Sequence, residues 1–260
     1  MTAAAMSDAK YTEWIDEAAR ELAELAAITG ERAPVPACPG WTMRQLVAHV
    51  ISGLSGWYTY NLVNGSEPLD YGASWSSQPP LPRGNADRLV WLVEAADRFV
   101  ELVDSIDLDA PCYVFQTRRT ARAWLHRAAT ETAIHLRDAR EVLGDVQPWE
   151  RARAAASIDE TLRVMWHGAL LLRGDLAAEC VPDQAITVTT TDLDRAWRVT
   201  KATDDFIVES VESRAGSDQL SVSGLGDELI SWLWGRTPTS QLATTGNHAA
   251  IEAWNLSAHI

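Results

Sequence analysis

The sequence predicts a chain of two parts, an all-α bundle followed by a smaller α+β domain. Three observations lead there. Apolar residues recur at helical spacing through most of residues 1–146, the pattern of amphipathic helices facing a shared core. The stretch "DVQPWERARAAA" then interrupts that pattern and reads as a linker. Beyond it, within residues 157–260, short runs of alternating polar and apolar residues read as strands. A chain of 260 residues is long for one core and comfortable for two.

Taken in order, the first helix starts near Ser7 as N-cap, runs through "DEAARELAELAAITG" and stops at Gly30. A proline-marked link, "RAPVPACPG", leads to a second helix from Thr42 through "MRQLVAHVISGLSGWYTYNLV" to Gly65. A loop rich in Gly, Pro, Ser and Tyr covers residues 66–83. The third helix is "NADRLVWLVEAADRFVELVDSI", capped at Gly84 or Asn85, and the fourth is "RTARAWLHRAATETAIHLRDAREVLG", ending at Gly144. Four helices of this length favour a bundle. After the linker comes a helix, "SIDETLRVMWHGALLLRG". The segments "AITVTTTD", "RAWRVT", "FIVESVES" and "QLSVSG" follow, expected as short antiparallel strands. "LGDELISWLWGR" is helical, with Trp232 and Trp234 expected in the core. "TSQLATTG" is one more strand and "NHAAIEAWNLSA" a closing helix.

Composition narrows the function. The chain is 47% hydrophobic and 22% charged, with no apolar run near the roughly 20 residues of a membrane span. The start, "MTAAAMSDAKYTEW", lacks the basic and apolar regions of a signal peptide, so a cytoplasmic protein is expected. A net charge of −14 argues against nucleic acid, whose phosphates require a basic face. Cys38, Cys112 and Cys180 are too few and too scattered for a disulfide framework and read as small buried hydrophobes.

Two seams break the apolar rule. Along the fourth helix, steps of three and four give Trp124, Ala128, Glu131, His135, Asp138 and Val142. The row is apolar at both ends and ionisable in the middle. Glu131 and His135 are four apart and project from one face. On the second helix the same steps give Thr42, Leu46, His49, Gly53, Trp57 and Tyr60, with a histidine at the centre and a glycine that leaves room for a ligand. A buried carboxylate must find a partner. Two imidazoles and one carboxylate from facing helices can do so around a divalent cation, and two His plus one Glu with an open position is a recurrent catalytic zinc set. Asp138 could orient an imidazole N–H from behind. By spacing alone, a hydrogen-bonded core histidine or an internal Glu–His salt bridge is the commoner account of such residues, and the metal is the alternative. Trp57, Tyr60, Tyr71 and Trp75 could wall a pocket or simply pack.

Longer motifs carry more. "VPACPGWTMRQLVAHVISGLSGW" and "RAATETAIHLRDAREVLG" resemble the two metal-bearing motifs of the mycothiol-dependent maleylpyruvate isomerase family. "LLLRGD", "TTTDLDRAWRVT", "VSGLGDELISWLWGR" and "TTGNHAAIEAW" resemble segments of that family's C-terminal domain, in the same order. The resemblance implies a DinB-like four-helix bundle with a smaller C-terminal α/β domain. It implies His49, Glu131 and His135 as zinc ligands, and mycothiol as thiol cofactor or co-substrate. One departure is Thr130, where many relatives have histidine. Arg83 is the nearest match to the family's anion-holding loop arginine.

The expected chemistry is addition of a metal-activated thiolate to a small electrophile. Elimination after bond rotation gives cis–trans isomerisation; retention of the adduct gives an S-transferase. The competing class is a zinc-stabilised binding or regulatory protein. It would need a fourth protein ligand, and His126, His167, His248 and His259 are poorly placed for that. Expected partners are a small-molecule electrophile and a low-molecular-weight thiol, with no nucleic acid or membrane, in a monomer or dimer.

Overall fold

The computed structural model describes residues 6–168, 182–202, 206–212 and 219–257. The chain divides into two compact units, Met1–Gln147 and Pro148–Ile260.

In the first unit, α1 (Asp8–Thr29) follows Ser7 and ends at Gly30, whose φ of 81° suits a residue without Cβ. α2 (Met43–Ser52) starts at a capping box, with the Thr42 N–H donating to Gln45 Oε1 at 2.9 Å. Its continuation is not a uniform α-helix. Gly53–Tyr58 forms a π-helical turn, and α3 (Thr59–Val63) completes the run expected as one helix. The stretch read as loop contains α4 (Tyr71–Ser76), capped by Asp70, which accepts from Ala73 N–H at 2.9 Å. α5 (Asn85–Ser105) begins after Gly84.

A hairpin missing from the sequence reading then intervenes. β1 (Pro111–Val114) pairs antiparallel with β2 (Thr117–Thr120), and Val114 faces Thr117 across a two-residue turn. Phe115, with φ of 55°, takes the positive-φ turn position. α6 (Arg122–Glu141) therefore starts three residues later than the expected "RTARAWL" start at Arg119. Pairing wins here because Cys112 and Val114 bury one strand face, while Tyr113 N–H reaches Gly65 O at 2.7 Å.

The helical core is made by Trp14, Ile15 and Leu22 of α1, Leu46 and Ile51 of α2, Leu92 and Phe99 of α5, and Trp124 and Leu125 of α6, all fully buried. Each such side chain contributes about 1.5–3 kcal/mol by leaving water. α1 packs on both α5 and α6, and α2 packs on α5 and α6.

In the second unit, α7 (Arg151–Glu160) begins inside the stretch read as linker and runs into a second π turn, Thr161–Met165. The sheet has the order β5-β4-β3-β6-β7, with β3 (Ile186–Thr190), β4 (Ala196–Lys201), β5 (Phe206–Val211), β6 (Leu220–Gly224) and β7 (Ala243–Thr245). One expectation is corrected: β3 and β6 are parallel, not antiparallel. The β3-β4-β5 meander fills one side of β3, so the chain returns to its other side from the same end. α8 (Gly226–Leu233) packs on α7, and α9 (His248–Ser257) follows β7. Trp232 and Trp254 are fully buried, with ring centroids 5.8 Å apart, and Trp234 is 7% exposed. The indole N–H groups are satisfied by Thr239 Oγ1 for Trp232 at 2.9 Å and Thr161 Oγ1 for Trp234 at 3.0 Å. The segment "LLLRGD", Cys180 and His259 lie outside the described residues. Among the described residues, no helix is long and apolar enough to cross a membrane.

Candidate metal centre

α2 and α6 bring His49, Glu131 and His135 together, with one donor atom of each lying within 4.8 Å of the others. His49 Nε2 is 2.7 Å from Glu131 Oε1, and His135 Nε2 is 3.8 Å from the same oxygen. The two imidazoles meet edge to face with centroids 4.8 Å apart. Donors around a tetrahedral zinc at 2.0–2.1 Å stand about 3.3 Å apart, so these spacings straddle what an ion needs. His49 is partly exposed at 39% of its side chain, whereas Glu131 keeps 17% and His135 6%.

The other carboxylate oxygen is already held. Tyr58 Oη donates to Glu131 Oε2 at 2.6 Å, and the Arg127 guanidinium pairs with the same oxygen. Glu131 therefore presents Oε1 to the two histidines. Behind His135, Nδ1 lies 2.9 Å from Asp138 Oδ2, and Asp138 is fully buried. An ionised carboxylate only accepts, so Nδ1 carries the proton and Nε2 faces Glu131.

These contacts shift the titrations. Burial alone pushes the Glu131 carboxyl up, but the Arg127 charge and the His135 and His49 hydrogen bonds outweigh it and hold the group well below its ordinary range. Burial likewise pulls His135 down, yet its hydrogen bonds to the Asp138 and Glu131 carboxylates and its contact with Cys38 leave it well above an ordinary imidazole. Both shifts favour the charged forms of the two groups.

The remaining expected site residues are spread more widely. Trp57 is half-buried and turns toward Tyr71 and Trp75, at centroid distances of 5.6 and 5.8 Å. Tyr60 is half-buried, with its carbonyl accepting from Asn64 Nδ2 at 2.8 Å. Arg83 is exposed, and its carbonyl oxygen accepts from the buried Arg88 at 2.9 Å. The space at Gly53 is not left for a ligand: a Cβ there would stand 3.1 Å from the Tyr58 ring. Thr130 is buried.

Four participants escaped the sequence reading. Tyr58 did so because the expected seam steps by three and four, whereas the π turn adds a residue and carries Tyr58, nine positions after His49, to Glu131. Arg127 was detectable, since it lies four residues before Glu131 on the same helix. Trp41, whose ring is 5.1 Å from His49 and 6.2 Å from His135, and Cys38, 3.3 Å from Asp138 Oδ2, come from the proline-marked link. No helical period connects that link to α6.

Residues 11–140 match the family model of the mycothiol maleylpyruvate isomerase N-terminal domain. No curated protein matches the chain. Among solved structures, a histidine-to-alanine variant of the mycothiol-dependent maleylpyruvate isomerase is similar, with a TM-score of 0.54 at 12% identity, covering 92% of this chain and 93% of that one. A crystal structure of the mycothiol-dependent maleylpyruvate isomerase gives a TM-score of 0.49 at 13% identity, with the same coverage. At such identity the likeness speaks for the fold, and the family model for membership. The family match takes in α2 and α6, the two helices that carry the histidines and the glutamate. The chain belongs to the mycothiol maleylpyruvate isomerase family.

Proposed function

We propose that this protein is a zinc-dependent enzyme that adds the thiol of mycothiol to a small electrophilic substrate, with His49, Glu131 and His135 as the metal ligands. The observation that carries the reading is the division of labour at Glu131. Tyr58 and Arg127 occupy Oε2, while Oε1 and the two imidazole nitrogens converge on one point. A divalent ion bound there supplies a Lewis-acidic centre that lowers the pKa of a coordinated thiol.

The chain's own groups supply the rest. Asp138 accepts the His135 Nδ1–H and so turns Nε2 toward Glu131, the nitrogen that would hold the ion once its own proton is displaced. Arg127 and Tyr58 keep the acid ionised and fixed in direction. His49 is the most exposed of the three ligands and marks the side from which thiol and substrate enter. Whether the adduct collapses to an isomer or leaves as a thioether depends on the electrophile, and both outcomes share this first step.

Three protein donors would leave a bound zinc one position for an exogenous ligand, which favours an enzyme over a zinc-stabilised binding protein. Cys38 groups with His135 and Asp138 rather than with His49 and Glu131, so three protein donors converge at the centre among the described residues. The test is metal analysis of the purified protein, then mycothiol-dependent consumption of a panel of electrophiles with activated double bonds. About one zinc per chain, lost in His49→Ala together with thiol-dependent turnover, is the expected result. Unchanged zinc content and turnover in His49→Ala would overturn the assignment.

A further inference from the structure

The turn before α2 touches the centre at two points. Backbone pairing draws the turn tight: Val35 N–H donates to Trp41 O at 3.0 Å, Cys38 N–H to Val35 O at 3.1 Å and Trp41 N–H to Cys38 O at 2.9 Å. Pro34 bridges Thr42, and Gly40 takes a φ of 86° that favours glycine. From this turn the Trp41 ring stacks beside His135 and tilts against His49. Cys38 Sγ donates to Asp138 Oδ2 at 3.3 Å, the same oxygen that takes the His135 Nδ1 proton at 2.9 Å.

We propose that Cys38 is a positioning residue for the metal centre: it holds the Asp138 carboxylate in the orientation that aims His135 Nε2 at the ion. The proposal rests on the ligand assignment above. Asp138 is fully buried and a single turn of α6 from His135, and a donor from a second segment restricts the swivel of its carboxylate about χ2. Cys38 supplies that donor from a different segment, a hundred residues away. A thiol suits the place because sulfur is larger, less hydrated and more readily buried than a hydroxyl. The rival role is direct ligation, since Cys38, His135 and Asp138 also lie within 4.8 Å of one another. The proton on Nδ1 argues against it, because that nitrogen then has no lone pair to offer an ion on the Cys38 side.

The test is a zinc competition titration of the full chain against a chromophoric chelator, with the wild type, Cys38→Ala, Cys38→Ser, Asp138→Asn and the Cys38→Ala/Asp138→Asn double variant. Asp138→Asn should weaken zinc by roughly 10- to 100-fold, as outer partners of metal-bound histidines do. Cys38→Ala should weaken it by about fivefold, the worth of one modest hydrogen bond, and Cys38→Ser should return to within about twofold of wild type. In the Asp138→Asn background, Cys38→Ala should add clearly less than in the wild type, because most of its effect passes through that carboxylate and only its contact with His135 remains. Full additivity, or no loss in Cys38→Ala, overturns the proposal. So does an intense thiolate-to-metal absorption in the cobalt-substituted wild type that disappears in Cys38→Ala, which would make Cys38 a ligand. A wild type that binds no zinc defeats the ligand assignment itself and this inference with it. Normal wild-type affinity with an indifferent Cys38→Ala defeats only this inference.

Discussion

α6 in the helical unit and α8 in the sheet-containing unit are both deeply buried, and they fill their interiors with opposite chemistry. α8 buries Leu229, Ile230, Trp232 and Leu233, and its buried hydroxyl, Ser231, is satisfied within its own helix by Asp227 O at 2.7 Å. α6 buries Arg127, Thr130, Thr132, His135 and Asp138 beside its tryptophan, leucines and alanines. Apolar replacements of similar volume in such a place are often neutral or stabilising, while a buried charge without its partner is costly. The α8 pattern is what stability by itself selects. The α6 pattern is explained by chemistry, and its charges are tolerated because each has a counterpart: Arg127 on Glu131, His135 on Asp138, Tyr58 and His49 on Glu131.

The sharpest way to break this contrast is Glu131→Ala. It removes the buried carboxylate that Arg127, Tyr58 and His49 share, with an expected loss of about 3–5 kcal/mol of stability together with the zinc site. Urea unfolding at neutral pH measures it, and a change below about 1 kcal/mol would show that the α6 charges are not interdependent. Trp232→Ala in α8 should cost a similar amount, about 3–5 kcal/mol, by leaving a cavity under Trp254. Its zinc affinity in buffer should stay at the wild-type value, and a drop in affinity would mean that the two units do not divide stability and chemistry as described.

A smaller effect distinguishes the members of the α6 network. Tyr58→Phe removes one hydrogen bond to an ionised acid and should cost about 1.5–3 kcal/mol in the metal-free protein. If melting and zinc affinity are both untouched, the π turn has no part in building the centre.

The least disruptive probe is pH. The Glu131 carboxyl is depressed in the fold, so its contribution is present above its ordinary value of 4.5 and fades as the pH falls through the folded value. His135 is raised, so its contribution is complete below 6.5 and fades as the pH rises through the folded value. The metal-free protein should therefore be most stable between about 4.5 and 6.5, a window read from calorimetric melting across pH. Zinc affinity should instead climb with pH until His135 reaches its raised folded value, because coordination at His135 Nε2 displaces a proton. A flat stability profile across both limits would contradict the paired-charge description.

Much of this was legible before folding. The break at the end of the helical unit, the caps at Gly30, Thr42 and Gly84, and the out-of-place Glu131, His135 and His49 all follow from local rules of periodicity and capping. The β1–β2 hairpin was missed because four-residue strands sit below the length at which alternation stands out from a neighbouring helix pattern. The parallel pairing of β3 with β6 was missed because strand order is a property of the whole sheet.

The sequence by itself determined which residue types had to be accounted for: ionisable groups on core seams, at spacings that put Glu131 and His135 on one face. Tertiary structure alone decided their company. It set a π turn that put Tyr58, a residue off the expected seam, at the carboxylate, and a proline-marked turn that laid Cys38 and Trp41 against a helix begun more than eighty residues later. The physical reason is range. Periodicity and capping act over one or two turns of chain, whereas the pairing of a buried charge is settled by whichever segments the packed core brings within hydrogen-bonding distance.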